Sequence, residues 1–248
     1  MSLPRRVEPE LLDQLPANDP RAIRSRRDLT RVNAWMRNAA CMASALRRFA
    51  AGRQPQTIAD LGCGDGQFTV QVARRLAPYW RNVTVILQDR QNIVSETTRD
   101  SIAALQWRAE TVSADVFEFL ADGRSRPIDA IIANLFLHHF SDEQLARLFA
   151  QMAQRAWLVV ACEPRRAKFV VESSRMLWAV GCNDVTIHDA MASARAGFTG
   201  SELSALWPKK GQYKQGHWKL YEHSAAIFSL CFAARRLATA NDAKPNGF

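Results

Sequence analysis

Between residues 57 and 164 short apolar runs alternate with amphipathic segments, and this alternation constrains the fold more than any other feature of the chain. Residues 57–61, 83–87, 107–112, 128–133 and 157–162 read as five short strands. Residues 83–87 are apolar but for Thr84, as expected of a strand covered on both faces in a parallel sheet. Between them, Phe68, Val72 and Leu76 share one face of a helix. Leu145, Leu148, Phe149 and Met152 form a second such stripe, opened by Ser141-Asp142-Glu143-Gln144 in the form of a capping box. Strands and helices in this order predict a doubly wound α/β sheet with right-handed crossovers.

The flanks break the alternation. Pro4, Pro9, Pro16 and Pro20 punctuate an extended arm over 1–20. Val32, Trp35, Ala39, Met42, Leu46 and Phe49 then recur at spacings of three and four, predicting one helix over 28–51 that Gly52 and Pro55 end. After Pro164, residues 166–181 read as an extra helix, and 188–206 as a second one interrupted at Gly197-Phe198-Thr199-Gly200. A turn at 211–216 precedes two strands, 217–223 and 226–233, close enough for an antiparallel hairpin. The expected organisation is an N-terminal arm and cap helix over 1–55, then a main domain over 56–248 with a helical cap inserted at about 166–210.

A length of 248 residues suits one large domain with a modest cap, and 48% apolar with 23% charged residues excludes disordered and fibrous classes. No apolar run approaches the roughly 18 residues of a membrane-spanning helix, so the chain is expected to be soluble. The five cysteines are odd in number, scattered and free of any Cys-x-x-Cys pair. Neither a metal site nor a disulfide framework is expected, and a reducing, cytoplasmic setting is the economical reading. The start of the chain lacks the apolar stretch of a secretory signal. The net charge of +9 is concentrated in residues 1–55, where eleven Arg face five acids. This pattern suits a solvated basic segment rather than a phosphate-binding groove, so nucleic acid is not an expected partner. A monomer or homodimer acting on a small molecule is expected.

The sharpest local signal is Asp60-Leu61-Gly62-Cys63-Gly64-Asp65-Gly66, a glycine-rich turn between a strand and a helix. Such a turn allows close backbone approach and points helix-start amides at a ligand. The spacing is Gly-x-Gly-x-Gly rather than the Gly-x-Gly-x-x-Gly of a dinucleotide site. The acid two residues before the first glycine suits an ammonium better than a pyrophosphate. Asp89, Asp115 and Asn134 each follow a later predicted strand, at the carboxyl edge where open α/β sheets bind ligands.

Together with Leu137-His138-His139-Phe140, these elements resemble in order the class I S-adenosylmethionine-dependent methyltransferases. The histidine segment resembles the small-molecule branch that includes ubiquinone- and menaquinone-type enzymes. The resemblance covers about residues 57–165 with the closing strands beyond. It implies a Rossmann-like seven-stranded sheet, mostly parallel, with an antiparallel C-terminal hairpin and a helical cap. It also implies S-adenosylmethionine as cofactor. Gly62, Cys63, Gly64 and Gly66 would wrap its methionine part, with Asp60 near the ammonium. Asp89 would hold the ribose, Asp115 and Val116 the adenine, with Arg90 and Asn134 alongside. A small residue often stands where this chain has Arg90. No Asn/Asp-Pro-Pro-Tyr/Phe segment follows the fourth strand, which argues against amino-directed nucleic-acid and protein-glutamine enzymes. No Asp-Asn pair of the metal-dependent catechol type is present.

In such an enzyme the protein aligns a nucleophile and manages one proton, work suited to histidine. His188, beside Asp189, is the first candidate base and His139 the second. Arg195, Trp178 and Arg165 are candidate acceptor-binding residues, and Arg31 and Arg37 candidates for the cofactor carboxylate. The activity this implies is O-methylation of a phenol or enol hydroxyl on an aromatic or polyketide-like molecule. C-methylation of a quinol-type ring stays open. So do RNA or protein methylation recruited by the Arg-rich N-terminus, and cofactor binding without turnover.

Overall fold

The computed structural model describes residues 3–122, 126–208, 217–225 and 227–237. The turn expected at 211–216 lies outside the described residues. Seven strands form one sheet: β1 (Thr57–Leu61), β2 (Thr84–Asp89), β3 (Arg108–Ser113), β4 (Ala130–Asn134), β5 (Leu158–Pro164), β6 (Trp218–Ser224) and β7 (Ser229–Arg236). Their order is β3-β2-β1-β4-β5-β7-β6. The first five are mutually parallel, while β7 runs antiparallel between β5 and β6. This is the doubly wound sheet with an antiparallel C-terminal hairpin that the alternation and the resemblance predict. The carboxyl ends of β1 and β4 are adjacent, so the switch point where such sheets bind ligands falls between them.

Two apolar layers cover the sheet. On one face lie α3 (Asn38–Ala50), α4 (Gln67–Leu76) and α5 (Glu96–Ala103), with Met42, Leu46, Phe49, Val72 and Leu76 buried against Ile58, Val85 and Val160. On the other lie α6 (Val116–Ala121), α7 (Asp142–Arg155) and α10 (Glu202–Leu206), whose Phe119, Leu145, Phe149 and Leu203 meet Leu61, Ile131 and Phe232. The burial of β1, β5 and all but the last residue of β4 follows from this double cover. Both halves of the Ser141–Gln144 capping box form.

The helix expected over 28–51 is two helices, α2 (Pro20–Met36) and α3, broken at Arg37 in the left-handed conformation (φ 58°). The spacing of three and four runs on across the break, which is why periodicity does not reveal it. The cause of the break is polar. Asn38 is buried, donates to Asn134 Oδ1 at 2.9 Å and accepts from Ser229 Oγ at 2.6 Å, turning α3 onto the sheet edge. Trp35 is left 64% exposed rather than in the core. The arm contains one helical turn, α1 (Leu11–Gln14).

Beyond β5, the segment expected as one helix over 166–181 is α8 (Lys168–Ser174) followed by a 3-10 turn, Arg175–Val180. The segment expected over 188–206 starts earlier, as α9 (Asp184–Ala196) capped by Asn183, and resumes as α10 after the interruption. Gly197 explains the interruption. A Cβ there would lie 2.3 Å from the Pro164 carbonyl oxygen, which accepts a hydrogen bond from Phe198 N–H at 2.9 Å. Gly197→Ala therefore forces β5 and the end of α9 apart. We expect a loss of about 3 kcal/mol of stability, read as a lowered thermal midpoint; an unchanged midpoint would contradict this packing.

Candidate active site

A cavity of about 660 Å³ opens at the carboxyl edge of the sheet, between the β1 turn, the β2 end, the start of α6 and the β4 exit. Asp60, Gly62, Cys63, Gly64, Asp89, Arg90, Asp115, Val116, Asn134 and His139 all line it. Gly66 does not: it caps α4 behind the turn, and a Cβ there would lie 2.9 Å from the Thr98 methyl. The turn itself depends on Gly62 (φ 67°), because the Phe136 ring lies 2.2 Å from where its Cβ would be. Gly64, by contrast, faces open space.

Three of the acids that line the cavity have distinct surroundings. Asp89 Oδ2 accepts from Gly64 N–H and Oδ1 from Gln91 N–H, both at 2.9 Å, so it fixes the turn and keeps lone pairs for a ligand. Asp115 caps α6 through Phe117 N–H at 2.8 Å. Asp60 is buried and hydrogen-bonded to Thr69 Oγ1. Burial pushes its pKa up to about 7, beyond what the Thr69 bond offsets, and the Asp89 charge adds to the rise. A buried carboxylate facing a cavity without a cationic partner is suited to an incoming ammonium. The buried Gln88 Oε1 also lacks a hydrogen-bond partner, while its amide nitrogen donates to Ala114 O at 2.7 Å. The open space beside Gly64, the Asp60 carboxylate bonded only to a hydroxyl, and the orphaned Gln88 oxygen together fit a ligand bearing an ammonium and an amino-substituted ring. The amide of Asn134 is committed to Asn33 and Asn38, tying α2 and α3 to the β4 exit.

Glu10 and His138 line the same cavity and, with Glu163 behind them, form a carboxylate–imidazole–carboxylate chain whose pairing the sequence did not suggest. Glu163, at the end of β5 and fully buried, accepts from the backbone of Phe136 (3.0 Å), Leu137 (2.8 Å) and His138 (3.3 Å). It also holds His138 Nδ1 at 2.8 Å. His138 Nε2 meets Glu10 Oε1 of the arm at 3.3 Å. Burial disfavours a charged His138, but the two carboxylates outweigh it and hold its pKa at about 9. The same contact brings Glu10 down to about 2 despite its burial. His139 is shifted the other way: burial, then the His138 charge, lowers it. Burial raises Asp13. The 3.6 Å contact between His139 and Asp13 thus joins two groups that both favour the neutral form.

The expected base His188 stands apart from the cavity and is half exposed, with Nδ1 2.9 Å from Asp189 Oδ1. Asp189 does not cap a helix start. It accepts Leu11 and Leu12 N–H at 2.8 and 2.9 Å, so the His188–Asp189 pair anchors the arm. Trp178 is 69% exposed on the outer surface, and Arg165 and Arg195 also lie off the cavity lining. Arg165 sits over the Phe169 ring, and the Arg195 carbonyl accepts Arg6 N–H. Arg31 pairs with Asp28 and Arg37 forms the helix break, while Arg26 is the α2 arginine that lines the cavity.

The arm roofs the cavity through Val7, Pro9, Glu10, Leu12 and Asp13. Arg5 secures it by donating to the carbonyls of His138, Phe140 and Ala196. Arg166 donates to Leu3 O and pairs with Glu202. No sequence period marks this role; the only signal was the run of acids at positions 8, 10 and 13 among arginines.

Residues 58–156 match the family described as "Methyltransferase domain". Over 91 residues the chain is 33% identical to an uncharacterized methyltransferase of Mycobacterium tuberculosis and to one of Mycobacterium bovis, covering 37% of this chain. The chain spans about two fifths (41%) of the length of these curated relatives. Among solved structures, the plantazolicin methyltransferase BpumL in complex with SAH superimposes with a TM-score of 0.62 at 16% identity, covering 91% of this chain and 94% of that one. The mitomycin 7-O-methyltransferase MmcR superimposes with a TM-score of 0.58 at 19% identity, covering 91% and 60%. At these identities the likeness is one of fold.

The Glu10–His138 contact gives stability a pH signature. The folded His138 value of about 9 exceeds the ordinary 6.5, so its contribution is full below pH 6.5 and is lost as pH rises through 9. Glu10, at about 2 against 4.5, contributes above pH 4.5 and loses that as pH falls through 2. The parent chain should therefore exceed Glu10→Gln in stability most between pH 4.5 and 6.5. We expect a margin of about 2 kcal/mol there, shrinking toward pH 9 in thermal unfolding curves. A margin that grows toward alkaline pH would contradict the pairing.

Proposed function

We propose, on the premise that residues 58–156 form a methyltransferase domain of the class I fold, that this chain transfers the methyl group of S-adenosylmethionine to a small molecule. The acceptor atom in this reading is an oxygen, the phenol or enol hydroxyl of an aromatic or polyketide-like compound. The observation that carries it is the His138–Glu163 pair, whose imidazole lines the same cavity as the glycine turn while the carboxylate is buried behind it. The cofactor's sulfonium supplies an electrophilic methyl group, which leaves the protein alignment and the removal of one proton.

Asp60 receives the ammonium of the cofactor, Asp89 its ribose hydroxyls, and Gln88 and Asp115 its amino-substituted ring. Phe117, Phe136 and Phe140 pack edge to face at the cavity wall and exclude water from the acceptor side. Glu163 holds Nδ1 of His138, so Nε2 is the nitrogen turned toward the roof. The acceptor hydroxyl replaces Glu10 on that nitrogen when the arm lifts. With one carboxylate gone, burial lowers the His138 pKa from about 9 toward the range where a neutral imidazole accepts a proton. His139, already biased to the neutral form, is the second candidate; His188 anchors the arm. The five free cysteines accord with a reducing, cytoplasmic setting.

The test is a panel of phenolic and enolic acceptors, read by the mass increment of one methyl group. His138→Gln should lower turnover by about 100- to 10,000-fold while cofactor affinity stays at the parent value. His188→Gln should turn over at close to the parent rate. Full activity in His138→Gln, or no methylated acceptor from the parent protein, would overturn the reading.

A further inference from the structure

Three of the five cysteines converge, far from one another in sequence and away from the cavity. Cys41 comes from α3, Cys162 from β5 and Cys231 from β7, and their sulfurs all lie within 4.8 Å of one another. Cys162 and Cys231 are directly opposite in the antiparallel β5–β7 register, so their side chains share one face of the sheet. That face is covered by α3, which brings Cys41 down onto the pair. Both strand cysteines are fully buried, and Cys41 is half-buried at the rim. None of the three lines the cavity, and the methyl transfer proposed above makes no use of them.

We propose that Cys41, Cys162 and Cys231 form a binding site for a soft, closed-shell divalent cation of the zinc type. Thiolate is the preferred ligand of such ions, and three sulfurs from one face leave the fourth tetrahedral position open. The cluster itself holds only the three cysteines; His223 of β6 stands opposite Cys231 in register, at an exposed position beside it. A solvent molecule, or the His223 imidazole after a turn of its exposed side chain, would fill the fourth position, the latter giving the three-cysteine, one-histidine composition of structural zinc sites. The half-exposed edge at Cys41 provides the entry path. On binding, each ligating thiol releases its proton to solvent as the metal–sulfur bond forms. The ion would pin α3 to β5 and β7, and α3 carries the Asn38 that bonds Asn134 at the cavity edge.

The experiment is titration of the reduced, metal-free full-length protein with cadmium as the spectroscopic probe, following the thiolate-to-cadmium charge-transfer band. One ion per chain is expected, and Cys41→Ser should abolish tight uptake. Cys63→Ser and Cys182→Ser, at cysteines outside the cluster, should bind as the parent does. Zinc should raise the thermal midpoint of the parent and leave that of Cys41→Ser unmoved; Cys41 is chosen because its partial exposure lets the serine variant fold. Absence of stoichiometric uptake, equal uptake by Cys41→Ser, or mass spectrometry showing Cys162 and Cys231 joined as a disulfide that excludes the ion would each overturn the proposal.

Discussion

Glu163 receives three consecutive backbone N–H groups from the β4 exit and, on its second oxygen, the ring of His138. A buried carboxylate is costly unless every lone pair is used, and here the protein supplies four donors for one charge. That satisfaction sets the path of residues 136–138, and much of the site follows from the path. Phe136 is pressed against Gly62 so closely that no side chain fits there, which shapes the glycine turn. His138 is left with one nitrogen toward the cavity, and that nitrogen is where the arm attaches.

The arm gives the N-terminal arginines a meaning that net charge alone did not. Arg5 and the arm's own backbone are spent on carbonyls and carboxylates of the folded domain, from His138 to Asp189. The charge surplus of the first quarter is thus in part internal wiring. The roof it makes is held mainly by polar contacts, and its helical turn α1 buries no side chain.

The strands, their order of appearance and the edge on which the cavity opens were legible because apolar runs and glycine spacing are local signals. The turn from Asp60 to Gly66, Asp89 and Asp115 were legible for the same reason: each follows a strand directly. What sequence reading missed depends on long-range pairing. The break at Arg37 comes from Asn38 meeting Asn134 and Ser229, contacts that no periodicity encodes. His188 looked catalytic because an Asp follows it, yet that Asp serves the arm. The pairing of His138 with Glu163 is not legible in the sequence because only the folded chain brings the end of β5 to its ring. The convergence of Cys41, Cys162 and Cys231 is invisible to any search for closely spaced cysteines, since each sits on a different element.

The central claim is that the turn fixed by Asp89 holds S-adenosylmethionine. Its most direct test is isothermal titration of the purified protein with S-adenosylmethionine and S-adenosylhomocysteine, repeated on Asp89→Ala after its thermal unfolding has been checked. The account predicts saturable binding of both ligands by the parent protein and its loss in a folded Asp89→Ala variant. Binding of equal strength in that variant, or none by the parent protein with or without a phenolic acceptor present, would contradict it.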